Sequence, residues 1–431
     1  MKIGIIGLGY VGLTLAIAAC DSGIDVRGTE INSKIKDSLK NNKAHFFEPG
    51  LDLLIKKYNG NKFKVLENFN SEKNYDAFII TVGTPLEKGK KVPNFKYIKS
   101  ALESIKDVYT GNELIILRST VSVGTTNNVV LPLLATLANK EKNELFVAFC
   151  PERTIEGKAI KELKSLPQII SGNNTMAKDK AHELFRKITP YIVETNKIEE
   201  AELAKLYCNT YRDMTFALGN VLSFAAQSFS IDGNDVIKYA NMGYKRSQIP
   251  LPGFVAGPCL EKDAYILTNN MLDSDVKRFI LNARNFNESL EDKVINWVDK
   301  YLGKEREQKV IALSGLAFKG VPETSDLRGS SAVNIARTLV KNGYKICLHD
   351  FVASKQEMKD LKLGAVYEDL NEICRVSDAL LILNNNNKYK TFSFEDILKE
   401  NSNYYILDAW NICYNLKSEY KCVFSLGNLL I

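Results

Sequence analysis

The chain has 431 residues, 45% of them hydrophobic and 25% charged; at roughly 100–200 residues per domain this predicts two to four domains with substantial cores and excludes a disordered or fibrous protein. Lysine and arginine total 57 against 51 aspartate plus glutamate, a formal charge of +6 with no polybasic block, so there is no case for a nucleic-acid partner, while an anionic small molecule is suited. No apolar run approaches the ~20 residues needed to span a bilayer. The eight cysteines (20, 150, 208, 259, 347, 374, 413, 422) lack CxxC spacing and the three histidines (45, 182, 349) form no HxxxH pattern. The expectation is a cytoplasmic chain of reduced thiols, without signal peptide, membrane span, disulfide framework or metal site.

The first predicted element is the apolar run Ile3-Gly4-Ile5-Ile6. Gly7-Leu8-Gly9-Tyr10-Val11-Gly12 follows it and opens a helix through Leu13–Cys20. In such a GxGxxG, Gly7 permits the tight turn, Gly9 lets the backbone approach a pyrophosphate, and Gly12 lets the helix sit against the strand with its amide-rich N-terminus facing phosphates. The glycines could also serve tight packing alone. A second strand, Asp25-Val26-Arg27-Gly28-Thr29, ends in Glu30, 18 residues beyond Gly12, where a carboxylate accepts from an adenosine ribose and repels a 2′-phosphate. NAD is therefore expected rather than NADP.

Further continuous apolar runs at Ala77–Val82, Leu114–Leu117 and Leu145–Phe149 read as strands of a doubly wound parallel sheet covered on both faces. Val82-Gly83-Thr84-Pro85 and Arg118-Ser119-Thr120-Val121 follow two of them, at the crevice where such sheets bind ligands, although each alone would be read as a capping turn. Cys150-Pro151-Glu152-Arg153 ends the next strand; the acid and the guanidinium there address a polar ligand or pair with each other.

From Ile198 to Phe229 the apolar period changes to three- and four-residue steps, predicting one long helix. Lys205 and Asn209 lie one turn apart on it. Lysine suits an anion or oxyanion and asparagine a bound water or hydroxyl; a solvated lysine and a surface asparagine are the bland alternative. Shorter helical segments are expected to about Leu302. Within them, Gly253–Asp263 is the most informative stretch. Pro258 at a first helical position would put Cys259 in the opening turn, where the macrodipole favours a thiolate, with Asp263 at i+4 and Lys262 at i+3. A thiol with a carboxylate beside it fits covalent catalysis with a water-activating base. An isolated cysteine is otherwise a buried small hydrophobe, the reading kept for the other seven. Strand–helix alternation restarts near Lys309, after a boundary at Lys304–Gln308. Strands are expected at Val310–Leu313, Lys345–Leu348, Ala379–Leu383 and Tyr405–Leu407, a helix at Ser331–Asn342, and a loop at Asn384–Asn387.

GLGYVG at 7–12, FEPGL at 47–51, VGTP at 82–85, STVSVGT at 119–125, PER at 151–153, Lys205 with Asn209, GPCLEKD at 257–263 and GLAFKG…TSDLRGSSA at 315–332 occur in one order. Together they resemble the nucleotide-sugar 6-dehydrogenases, the UDP-glucose and UDP-N-acetylmannosamine dehydrogenase family, over nearly the whole chain. The resemblance implies an α/β fold: an N-terminal Rossmann domain (1–197), a central long-helix dimerisation domain with the catalytic Cys loop (198–303) and a C-terminal Rossmann-like UDP-binding domain (304–431). It implies four-electron oxidation of a UDP-sugar C6 hydroxyl to a carboxylate by NAD, through a Cys259 thiohemiacetal and thioester, for surface polysaccharide precursors. Asp263 would be base or water organiser, Lys205 and Asn209 would stabilise alkoxide and oxyanion, Thr120 would hold water, and Glu152 would assist hydrolysis. NAD would contact Gly7, Gly9, Tyr10, Val11, Gly12, Glu30, Lys34, Gly83, Thr84, Thr120, Lys262 and Arg328. The sugar nucleotide would contact Glu152, Arg153, Lys205, Asn209, Arg246, Phe254, Gly257 and Lys319, with Arg246 reaching a neighbouring subunit in a homodimer formed through the central helices.

Arg153 after the Pro-Glu pair resembles the N-acetylhexosamine branch, which favours a mannosamine-type substrate over UDP-glucose. Gly315–Gly320 is no GxGxxG, so the C-terminal domain should hold no second dinucleotide, while Lys319 beyond a strand end suits a diphosphate. A two-electron hydroxyacid dehydrogenase of the 6-phosphogluconate type shares the layout but needs no cysteine. An NAD-sensing module would not require Cys259, Asp263 and Lys205 together.

Overall fold

The apolar runs become the strands of two sheets. The computed structural model describes residues 1–303, 306–401 and 403–430, so Lys304 and Glu305 of the expected boundary lie outside the described residues. The chain divides into two compact units, Met1–Asn209 with Tyr265–Leu272, and Thr210–Ala264 with the chain from Asp273 onward.

In the first unit, β1 (Lys2–Ile6), β2 (Asp25–Thr29), β3 (Phe63–Leu66), β4 (Ala77–Ile80), β5 (Leu114–Leu117), β6 (Phe146–Phe149), β7 (Gln168–Gly172) and β8 (Ile192–Glu194) form one sheet in the order β3-β2-β1-β4-β5-β6-β7-β8. β1 to β6 run parallel, β7 is antiparallel to β6 and β8 is parallel to β7. Successive residues of a strand face opposite sides, and both sides are covered. Ile3, Ile5, Ile79 and Ile116 pack with Leu13 and Ile17 of the Tyr10–Asp21 helix. Phe78, Ile80, Ile115 and Leu117 pack with Ile98, Leu102 and Leu134 on the other side. The order of strands reverses between β1 and β4, the switch point where doubly wound sheets hold their ligands.

The second unit has β9 (Val310–Ser314), β10 (Lys345–His349), β11 (Ala365–Val366), β12 (Ala379–Ile382), β13 (Tyr405–Asp408) and β14 (Val423–Ser425), all parallel in the order β11-β10-β9-β12-β13-β14. Leu290, Val294 and Trp297 of the Asp275–Leu302 helix cover one face with Ile311, Leu313 and Leu381.

The long helix spans Ile198–Gln227, two residues short of the expected end. After it, the expectation of short segments to Leu302 is corrected: a Gly233–Asn241 helix and a Leu260–Thr268 helix precede a second long one, Asp275–Leu302, of 28 residues. Among the described residues no helix is long and apolar enough to cross a membrane.

Candidate active site

The GxGxxG closes where β1 turns into the Tyr10–Asp21 helix. Gly7 has φ +92°, which glycine adopts without strain, and its N–H donates to Thr29 O at 2.9 Å. A Cβ on Gly12 would lie 1.9 Å from Gly7 O and 2.6 Å from Thr81 Oγ1, whereas one on Gly9, the helix N-cap, would meet nothing within 4 Å. Protein packing thus demands Gly12 but leaves the space over Gly9 open, and that space faces the amides of a helix start, the position a pyrophosphate takes. A cavity of about 360 Å³ is lined by Gly7 and Gly9, by Glu30 and Ile31 beyond β2, and by Val82 and Gly83 beyond β4. Glu30 Oε2 accepts from Leu8 N–H at 2.8 Å and Oε1 from Ile31 and Asn32 N–H at 2.8 and 3.0 Å, so the carboxylate is fixed at the cavity wall. These residues fit NAD: cradle, helix amides and a ribose-facing carboxylate.

The other expected cofactor contacts divide. Thr84 is buried and its Oγ1 donates to Thr120 O at 2.5 Å, tying the turns beyond β4 and β5 together. Val11 is half-buried, and Lys34 is exposed at the start of the Ser33–Lys40 helix. The Tyr10 hydroxyl donates to Glu48 Oε2 at 2.6 Å, and Glu48 also accepts from Gly157 N–H at 2.8 Å. Burial, then Glu48, pushes the Tyr10 phenol far above its ordinary value. Tyr10 therefore joins the cradle to the loop at 155–158. Glu48, the acid of the FEPGL motif, has a role that its motif alone did not reveal.

Beyond β6, Glu152 is buried. Its Oε2 accepts from Arg118 at 2.5 Å and its Oε1 from Thr154 N–H at 2.6 Å. Burial alone would raise its carboxyl, but the Arg118 charge, the Thr154 N–H and the Lys205 ammonium hold it below the ordinary range. Of the two ways of reading Glu152 and Arg153, mutual pairing is thereby replaced: Glu152 pairs with Arg118, while Arg153 donates to Pro167 O. Arg118 was missed because it looked like a turn residue; its signal was a cation directly after a fully apolar strand. Lys205 and Asn209 are both buried on the long helix, contrary to their solvated alternative. One turn before Lys205, buried Glu202 accepts from Gly124 N–H (2.6 Å), Thr126 N–H (2.9 Å) and Thr126 Oγ1 (2.6 Å), which fastens the STVSVGT turn.

In the second unit, Gly253–Pro258 leads to the Leu260–Thr268 helix. The expectation for Pro258 is corrected by two positions: the helix begins at Leu260, and Cys259 is its N-cap, its carbonyl accepting from Lys262 and Asp263 N–H at 3.2 and 3.0 Å. The bend comes earlier, at Gly257 with φ +95°, where a Cβ would lie 2.5 Å from the Phe318 ring. Cys259 is exposed, unlike Cys20, Cys150, Cys347 and Cys374, which are buried. Asp263 is 1% exposed and accepts from Lys262 Nζ at 2.9 Å. Burial pulls the Lys262 ammonium down, but Asp263 and then Cys259 outweigh it and hold it above its ordinary value. Thiol, ammonium and carboxylate thus share one helix start.

Gly257 N–H donates to Gly329 O at 2.8 Å, so the Cys loop docks on the TSDLRGSSA segment. Arg328 there chelates Asp326 through Nε and Nη2 at 2.9 and 2.6 Å. Lys319 is half-buried beyond β9, with Nζ 5.4 Å from the Phe318 ring centre. Phe254 is buried in the core. Arg246 lies on an exposed turn over the Tyr244 ring. The first unit therefore collects the phosphate cradle, Glu30, Gly83, Thr84, Thr120, Glu152, Lys205 and Asn209; the second collects Gly257, Cys259, Lys262 and Asp263 beside the Lys319–Arg328 segment.

Three family models follow one another along the chain: the UDP-glucose/GDP-mannose dehydrogenase family NAD binding domain over residues 1–189, its central domain over 199–289 and its UDP binding domain over 312–415. The chain belongs to this family and is an NAD-dependent nucleotide-sugar dehydrogenase, an oxidoreductase. It is similar to the UDP-N-acetyl-D-mannosamine dehydrogenase of Methanococcus maripaludis, 33% identical over 437 residues that cover 100% of this chain and 93% of that one. The enzyme of the same name from Pyrococcus horikoshii is 30% identical over 96% of each chain. The solved structure of the P. horikoshii protein matches over 100% of both chains with a TM-score of 0.88 at 29% identity.

Proposed function

We propose that this enzyme oxidises the C6 hydroxyl of UDP-N-acetyl-D-mannosamine to a carboxylate. When bound, NAD⁺ accepts a hydride in each of two oxidations. Asp263 takes the proton of the C6 hydroxyl, and buried Lys205 and Asn209 stabilise the alkoxide and then the oxyanions that follow. The Cys259 sulfur bonds C6 of the resulting aldehyde and forms a thiohemiacetal, whose carbon gives up the second hydride to leave a thioester. Water held by Thr120 and activated by Asp263, with Glu152 assisting, attacks the thioester; the C–S bond breaks, the acid leaves and the thiol is restored. Lys319 and Arg153 hold the nucleotide diphosphate and sugar, Phe254 and Gly257 border the sugar, and Lys262 and Arg328 face the cofactor.

The observation that carries this reading is the exposed Cys259 at a helix start, its carbonyl accepting from Asp263 N–H at 3.0 Å, beside buried Asp263 and its half-buried partner Lys262, 2.9 Å apart. The N-acetylmannosamine assignment draws on the similar enzymes and on Arg153. A screen of NADH release over UDP-glucose, UDP-galactose, UDP-N-acetylglucosamine and UDP-N-acetylmannosamine tests it: the last should give the highest kcat/KM, and preference for UDP-glucose would reject the sugar while leaving the chemistry.

We also propose a homodimer formed through the central helices, in the cytoplasm where the nucleotide sugar and NAD meet. Tyr211, Leu218, Val221 and Leu222 recur on one side of the long helix and are 72%, 52%, 41% and 39% exposed, an apolar stripe that a second copy would cover. Arg246 would then reach the partner's site. The three-part division at 197/198 and 303/304 serves as the division of labour: cofactor, thiol and dimer, nucleotide.

A further inference from the structure

The segment that delivers Cys259 is irregular, and its backbone is held mostly by buried side chains from two long helices. Asn220 grips Gly253 twice: Oδ1 accepts from its N–H at 2.9 Å and Nδ2 donates to its carbonyl at 3.1 Å. Arg284, 2% exposed, donates to Val255 O at 2.9 Å, to Leu260 O at 3.1 Å and to Asp213 Oδ1 at 2.7 Å. Asn287 aims Asp213 by donating to its Oδ1 and its carbonyl at 2.9 and 3.0 Å, and accepts from Asn220 at 2.9 Å. Val255 and Leu260 bracket Cys259, so a single guanidinium fixes the chain on both sides of the sulfur.

Stability alone gives little reason for this arrangement. A buried ion pair is costly to desolvate, and well-packed apolar side chains of similar volume often stabilise as much. What they could not supply is a rigid fork of N–H donors directed at two chosen carbonyls. We propose that the buried Asp213–Arg284 pair positions the Cys259 sulfur for its attack on C6, with Asn220 and Asn287 holding the pair in register. Neither Asp213 nor Arg284 touches the reacting atoms; both act through the loop backbone.

This rests on the proposed thiol chemistry and sharpens it. Alcohol oxidation needs no bond to sulfur, whereas aldehyde oxidation does, and an error of about 1 Å in the placement of a reacting group costs roughly a hundredfold. Loosening the brace therefore penalises the second oxidation selectively.

Arg284→Lys keeps the charge and removes the fork. The expected result is at least a tenfold loss of kcat on the UDP-sugar 6-aldehyde, KM for the nucleotide sugar within twofold, and first-turnover alcohol oxidation within threefold, with free aldehyde captured by hydroxylamine. Equal loss in both half-reactions, or no loss in either, overturns the proposal. Iodoacetamide alkylation, followed peptide by peptide, gives a reading that requires no substrate: the Cys259 rate relative to that of Cys208 should fall at least threefold, and an unchanged ratio counts against positioning. If the wild-type enzyme oxidises none of the UDP-sugars, the proposed function fails and the alkylation ratio alone decides the brace. Should Arg284→Lys not fold, Asn287→Ala is read by the same criteria, with an expected threefold selective loss.

Discussion

Arg118 donates to Glu152 across 2.5 Å, and neither side chain is more than 9% exposed. Burial opposes the Glu152 charge, and Arg118 is the largest influence restoring it, ahead of the Thr154 N–H and Lys205. The folded carboxyl therefore titrates below its unfolded value of about 4.3. Its contribution to stability is fully present above that value and is lost as pH falls through the lower folded one.

Replacing Arg118 by glutamine removes the largest influence that opposes burial. The Glu152 carboxyl should then rise, so the variant should lose stability relative to the wild type as pH rises. Removing one partner of a buried pair costs about 3–5 kcal/mol. Thermal unfolding of Arg118→Gln from pH 4 to 8 should show a midpoint that falls toward neutrality where the wild type's does not, and a new acid-side limb should enter the kcat profile as protonated Glu152 persists to higher pH. Parallel profiles would contradict the account.

Gly9 and Gly12 should separate cofactor binding from folding. A methyl at Gly12 meets a backbone carbonyl at 1.9 Å, while one at Gly9 meets open space. Gly9→Ala should unfold within about 2 °C of the wild type yet raise KM for NAD at least tenfold; Gly12→Ala should lose both stability and NAD binding. Calorimetry and initial rates measure the two effects.

Glu30 should set the choice of dinucleotide. Its carboxylate is fixed by three backbone N–H groups, and its negative charge faces the place of a 2′-phosphate. Glu30→Gln should lower the ratio of kcat/KM for NAD over NADP at least tenfold, and an unchanged ratio would remove Glu30 from that role.

The apolar stripe of the long helix should set the oligomeric state. Leu218→Glu puts a charge among Val221, Leu222 and Tyr211, and sedimentation velocity should show a monomer where the wild type runs as a dimer. An unshifted dimer would assign the contact to another surface.

Much of this was legible in the sequence because its physics is local. Runs such as Leu114–Leu117 are buried on both sides, so nothing polar interrupts them, and the glycine turn advertises its own geometry. What stayed hidden was polar and non-local. The Asp275–Leu302 helix was read as shorter pieces because Arg284 and Asn287 occupy its buried side, breaking the apolar stripe where their hydrogen bonds serve the Cys loop. β8 is short and largely exposed at the sheet edge, which leaves little alternation to detect. Glu48 and Arg118 carry charges whose partners, Tyr10 and Glu152, lie 38 and 34 residues away, and no spacing rule joins them. The start of the Cys259 helix was misplaced by the preference of proline for a first helical position, which the left-handed turn at Gly257 overrides.

The central claim is that one sugar undergoes both oxidations on this enzyme, the second while its C6 is bonded to the Cys259 sulfur. Counting NADH formed per UDP-N-acetylmannosamine consumed tests it most directly, with Cys259→Ser run beside the wild type. The account predicts two NADH per sugar for the wild type and at least a hundredfold slower formation of acid for Cys259→Ser; one NADH per sugar, or undiminished acid formation without the thiol, would contradict it.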